Sequence, residues 1–83
     1  MELYQNQPNP FVGRTVIGFN LTKAENAKMT IYDATGRLLK VVDKDFAKGY
    51  NEVTIDDIQA VGVLKYTLST ASETATKSMI ILE

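Results

Sequence analysis

The sequence predicts an all-β fold, a small antiparallel β-sandwich of about seven strands. Three observations carry that prediction. Apolar and polar residues alternate along most of the chain, as in Thr15-Val16-Ile17-Gly18-Phe19-Asn20-Leu21 and Leu64-Lys65-Tyr66-Thr67-Leu68. Turn residues interrupt these runs at intervals of roughly 8–12 residues. Recurrence of apolar residues at helical spacing is weak throughout.

The elements follow in order. Leu3-Tyr4 opens a short first strand. Gln5 to Pro10 cannot be helix or a central strand, because Pro8 and Pro10 lack amide donors and push the residues before them toward extended geometry. Leu3 and Phe11 read as apolar pins that hold this stiff arm against a body. The alternation from Thr15 to Leu21 is a half-buried strand, and Lys23-Ala24-Glu25-Asn26 is a polar turn. Ala27, Met29 and Ile31 alternate with Lys28, Thr30 and Tyr32 in the next strand.

Asp33-Ala34-Thr35-Gly36 is a hairpin-type connection, with Gly36 suited to positive φ and Asp33 able to bond back to turn amides. Leu38 to Val42 is apolar on both faces, as expected near a sandwich centre. Lys48-Gly49 punctuates the next turn, and Asn51, Val53 and Ile55 alternate in a further strand. Asp56 to Val61 is a loop with room for one helical turn. Gly62 opens the strand of Leu64, Tyr66 and Leu68, Ser69 to Ala75 is a small polar turn, and Met79 to Leu82 lies in the last strand.

The 83 residues suffice for one domain, read as a module cut from a longer chain, with Met1 as an added start. With no cysteine, neither a disulfide nor a thiolate metal site can support the fold. With no histidine, the usual neutral-pH base and the commonest zinc ligand are missing. The 9 basic and 10 acidic residues are interspersed, for a net charge of −1. Capture of nucleic acid or anionic lipid is therefore not expected. No apolar run approaches the ~20 residues that span a bilayer, so stable membrane insertion is not expected either.

Constellations that could carry chemistry are few. Lys77 and Ser78 are adjacent in a strand, so their side chains point to opposite faces and do not form a dyad. Asp56-Asp57 is the better of two acidic pairs for calcium, but it lacks the spacing of a dedicated loop. No enzyme activity, metal or cofactor is expected. Asn20-Leu21-Thr22 matches a glycosylation acceptor, a match that arises often by chance. The tyrosines and phenylalanines fall mostly on alternating positions and are expected in the core. The terminal strand, Thr76 to Leu82, is apolar on both faces. It reads either as a paired core strand or as a segment presented to other machinery.

Several motifs then converge. Leu3-Tyr4-Gln5-Asn6-Gln7-Pro8-Asn9-Pro10-Phe11 resembles the opening of the C-terminal sorting domains (type A) of the bacterial type IX secretion system. Ile31-Tyr32-Asp33-Ala34-Thr35-Gly36-Arg37 resembles that family's Tyr-Asp-x-x-Gly-Arg turn. Gly49-Tyr50-Asn51-Glu52-Val53, Gly62-Val63-Leu64 with Leu68, and the lysine-led Lys77 to Leu82 resemble its later blocks, in the family's order. Two positions depart from the pattern: Leu64 stands where the family usually has tyrosine, and Glu83 where it often has a basic residue.

The resemblance implies a small immunoglobulin-like sandwich that acts as an address. Such domains belong to secreted proteins of the Bacteroidota. They carry an upstream cargo domain through the periplasm to an outer-membrane translocon and on to the cell surface or medium. A sortase-like peptidase usually removes the domain, here at a junction upstream of Glu2. The candidate recognition residues are Gly36, Arg37, Lys77, Met79, Ile80, Ile81 and Leu82, beside the N-terminal motif Pro8, Asn9, Pro10 and Phe11. The competing class is a structural or adhesin-like sandwich module, a spacer or carbohydrate-binding unit of an extracellular enzyme. A carbohydrate-binding unit would need an exposed aromatic platform.

Overall fold

The computed structural model describes residues 1–83 and contains eight strands and no helix. They are β1 (Glu2–Leu3), β2 (Phe11–Val12), β3 (Thr15–Leu21), β4 (Glu25–Tyr32), β5 (Leu38–Phe46), β6 (Gly49–Ile55), β7 (Gly62–Ser69) and β8 (Thr74–Leu82). A three-stranded sheet of order β1-β3-β6 packs on a five-stranded sheet of order β2-β8-β7-β4-β5. The expected all-β sandwich is the observed one.

Period-two patterning explains the layers. Ile17, Phe19 and Leu21 of β3, with Val53 and Ile55 of β6, point inward from the small sheet. Ala27, Met29 and Ile31 of β4, Leu64, Tyr66 and Leu68 of β7, and Met79 and Ile81 of β8 meet them from the large one. These residues and their neighbours form one core of 16 buried apolar side chains. Phe19 and Phe46 meet edge to face within it, ring centroids 5.0 Å apart.

Several details depart from the sequence expectation. The strand beginning at Leu38 runs on to Phe46 and forms an edge of the large sheet, not its centre. Its second apolar face, with Leu38 and Val41, is therefore exposed. Asp56 to Val61 holds no helical turn; Ile58 and Ala60 pack against the core there, and Lys40 pairs with Asp57 at 2.7 Å. Phe11–Val12 forms an additional strand. It pairs in parallel with β8, the one departure from an antiparallel ladder.

The N-terminal arm belongs to both sheets. Leu3 pairs with Phe19 and Gln7 with Val16, so the register against β3 slips by one residue between them. That slip is a bulge. It lets Leu3 and Asn6 both point inward while Gln7 points out. Two cis peptide bonds, at Gln7-Pro8 and Asn9-Pro10, follow, and the chain then enters the large sheet as β2. The arm thereby closes one open side of the sandwich.

Candidate functional site

The terminal strand β8 has β7 from Thr74 to Ile81 on one side and β2 over only Ile81 and Leu82 on the other. The rest of that second side is an open edge whose outward backbone groups need partners. Side chains of the arm supply two of them. Gln5 Nε2 donates to the carbonyl of Ser78 at 2.7 Å, and Asn9 Oδ1 accepts the amide of Ile80 at 2.9 Å. The arm's amide-bearing residues thus act as a surrogate strand where proline cannot offer a ladder.

A buried polar node fixes the arm in turn. The Tyr66 hydroxyl accepts the backbone amide of Asn6 at 3.0 Å and donates to the carbonyl of Tyr4 at 2.8 Å. The Asn6 side chain donates to the carbonyl of Pro8 and to Thr15 Oγ1, both at 3.1 Å, while its Oδ1 accepts from Gln5 Nε2 at 2.6 Å. Thr15 Oγ1 donates to the carbonyl of Pro8 at 2.9 Å. No buried side-chain nitrogen or oxygen is left without a partner, so the node costs little to bury. Burial pushes the Tyr66 phenol up, and the Asn6 amide offsets this in part.

The turn after β4 is built around one carboxylate. Asp33 Oδ1 accepts the Thr35 amide at 2.9 Å, the Thr35 hydroxyl at 2.6 Å and the Arg37 amide at 2.9 Å. The Thr35 hydroxyl and the Arg37 amide hold the Asp33 carboxyl below its usual range, with a smaller contribution from the Arg37 charge. Gly36 sits at φ 89°, where no added Cβ would collide with anything. Its requirement is therefore conformational, not spatial. The Arg37 guanidinium touches Asp33 Oδ2 at 3.2 Å and is otherwise in solvent.

Cross-strand register decides which candidate residues meet. Tyr32 pairs with Lys65, Lys65 with Ser78 and Val63 with Ile80. The turn carrying Gly36 and Arg37 therefore leaves β4 at the same end of the large sheet as Ile80 to Leu82. Phe11 and Val12 flank Ile81 and Leu82 at that end. Met79, Ile81 and Phe11 point inward and are buried, so they hold the strand and cannot touch a docked partner. Lys77 is exposed opposite Tyr66, further along β8. Pro8, Asn9 and Pro10 are exposed beside the edge.

What points outward at this end is an apolar band. Val12 is 64% exposed, Leu82 49%, Ile80 39% and Val63 51%. The band continues across Tyr32 to Leu38 on β5, whose register partner is Tyr32. A groove of about 310 Å³ between Tyr32, Gly36, Val63, Lys65 and Thr76 joins it to the Asp33 turn. Exposed apolar side chains in contact across neighbouring strands mark interaction surfaces more often than scattered single ones do.

Val12, Val63 and the node of Asn6, Thr15 and Tyr66 are absent from the sequence-based candidates. Asn6 and Tyr66 are each quoted within a readable pattern, but nothing local shows that they meet. Asp56 and Asp57 assemble no group of acidic ligands, and Asp57 is already paired with Lys40.

Comparison with known proteins gives two results. The family model described as secretion system C-terminal sorting domain matches residues 6–82. The sensor domain of the anti-sigma factor RsgI4 of Pseudobacteroides cellulosolvens superposes with a TM-score of 0.55 at 10% identity, over 98% of this chain and 93% of that one. At that identity the likeness is one of fold. No curated protein matches the sequence.

Proposed function

The chain belongs to the family of secretion system C-terminal sorting domains, and on that premise we propose that the outward end of its five-stranded sheet is the face read by the type IX translocon. The domain is a sorting signal for type IX secretion, and its cargo is destined for the cell surface or the medium. The observation that supports this face is the band of Val12, Val63, Ile80 and Leu82, which shares its end of the sheet with the turn that carries the exposed guanidinium of Arg37. An apolar patch and an exposed charge on one end of a sheet offer a partner both buried area and orientation.

In this reading the signal is a folded shape. Its recognition elements come from strands distant in sequence and face one way only when the sandwich is formed. The domain travels with an upstream cargo through the periplasm, engages the outer-membrane translocon, and is removed by a sortase-like processing enzyme that cuts upstream of Glu2. The nucleophile of that cleavage belongs to the processing enzyme.

The test is a fusion of this chain to the C-terminus of an exportable reporter in a bacterium that has the secretion system. The unaltered fusion reaches the surface or medium. Ile80→Asp with Leu82→Asp holds the reporter in the periplasm while the isolated domain still unfolds cooperatively, since both side chains lie outside the core and are partly exposed, Ile80 by 39% and Leu82 by 49%. Normal delivery of the doubly substituted fusion would move the recognition face elsewhere.

A further inference from the structure

The opposite outer face of the sandwich carries a second feature that the sorting role does not use. Tyr50 of β6 lies across Gly18 of β3, and an added Cβ at Gly18 would run into the Tyr50 ring. Tyr4 of the arm stands beside it, ring centroids 6.1 Å apart and planes tilted by 37°. Tyr4 is 39% exposed and Tyr50 61%. Together with Gln5, Gln7, Val16 and Glu52 they line an open groove of about 740 Å³. The aromatic residues are expected mostly in the core, yet Tyr4 and Tyr50 stand outside it on this sheet, as Tyr32 does on the other.

The polar groups of the groove define what it can hold. The Tyr50 hydroxyl donates to Glu52 Oε2 at 3.0 Å, which holds the ring over the glycine. This hydrogen bond also pushes the Tyr50 phenol up, so it stays protonated at neutral pH. Gln5 spends its amide nitrogen on Asn6 and Ser78, leaving Oε1 as an acceptor. Glu52 retains a second carboxylate oxygen, and the exposed Gln7 amide offers both donor and acceptor. No lysine or arginine lines the groove, so an anion has no counter-charge there.

We propose that the Tyr4–Tyr50 groove is a binding site for an uncharged, hydroxyl-rich oligosaccharide. Sugar rings present C–H faces that lie against tyrosine rings, and their hydroxyls donate to a site in which acceptors outnumber donors. A proline-rich peptide also fits aromatic grooves, but it offers mainly carbonyl acceptors and matches this polar set less well. The inference stands apart from the export face, which lies on the other sheet.

The experiment is an amide-resolved NMR titration of the 83-residue chain with cellohexaose, xylohexaose and mannohexaose, each taken to millimolar concentration. A proline-rich peptide containing arginine is run in parallel. At least one glycan shifts the amides of Gln7, Gly18, Tyr50 and Glu52. Tyr50→Leu keeps an apolar cover over Gly18 yet weakens binding about tenfold. Tyr4→Leu does the same and decides the matter if the first variant does not fold. Tyr32→Ser, on the opposite sheet, leaves binding unchanged. No shift with any of the glycans, shifts with the peptide alone, or glycan binding untouched in both leucine variants would overturn the assignment.

Discussion

Replacing Tyr66 by phenylalanine deletes one oxygen atom from the interior and leaves the ring, its rotamer and its apolar contacts in place. That oxygen is the acceptor for the Asn6 amide at 3.0 Å and the donor to the Tyr4 carbonyl at 2.8 Å. Without it, a buried N–H faces a C–H edge, at a cost of about 1–3 kcal/mol. The Tyr4 carbonyl, nearer solvent, loses a bond of about 1 kcal/mol and can recover part of it from water. The net expectation is a loss of about 2 kcal/mol, and for a domain of this size each kcal/mol lowers the melting temperature by roughly 4–8 °C. Thermal unfolding followed by circular dichroism is therefore expected to show a fall of about 12 °C. Hydrogen exchange adds a local readout: the Asn6 amide loses more protection than the amides of β7, because the arm detaches before the sandwich opens. A fall of less than about 3 °C, with Asn6 protection unchanged, would refute the claim that this hydroxyl ties the arm down.

Three further outcomes are expected. Gly36→Val forces a β-branched residue to φ 89° and costs about 1–2 kcal/mol, read as a lower urea midpoint at unchanged slope; Gly36→Asn loses less, and equal stability of valine and glycine there would contradict the conformational argument. Stability also declines in alkali. The Tyr66 phenol is raised by burial and that of Tyr50 by its bond to Glu52, so the unfolded tyrosines ionise first. Their contribution is complete below about pH 10 and is lost as the pH rises through the folded values. Tyr66→Phe should flatten that decline, and an unchanged slope in denaturant titrations above pH 10 would argue against it. In acid the sign reverses: the lowered Asp33 carboxyl contributes above its unfolded value and loses that contribution as the pH falls.

Much of the proposed export face is legible in the sequence. The Asp33-to-Arg37 turn is a local structure made by one side chain and one glycine, and its residue types announce it. The inward and outward faces of β3, β4, β6, β7 and β8 follow from alternation, because a strand's side chains change face at every residue. Ile80 and Leu82 are therefore legible as partners of one face, and Met79 and Ile81 as partners of the other.

What alternation cannot encode is which strand lies beside which. Leu38 to Val42 is apolar on both faces, which suits a buried central strand; packing instead places it at an edge, where its second face becomes part of the apolar band. Residue types alone likewise do not show that Asn6, Thr15 and Tyr66 form one node, since Asn6 and Tyr66 are sixty positions apart. Nor do they show that Tyr4 and Tyr50 stand outside the core over a glycine. The sequence by itself determined a sheet-on-sheet body, its turns and its family. The tertiary structure decided the order of the strands, the crossing of the arm from one sheet to the other, and hence which residues share a surface. The physical reason is that local period and turn chemistry act over a few residues, whereas strand pairing and burial are settled by contacts that close only when the whole chain packs.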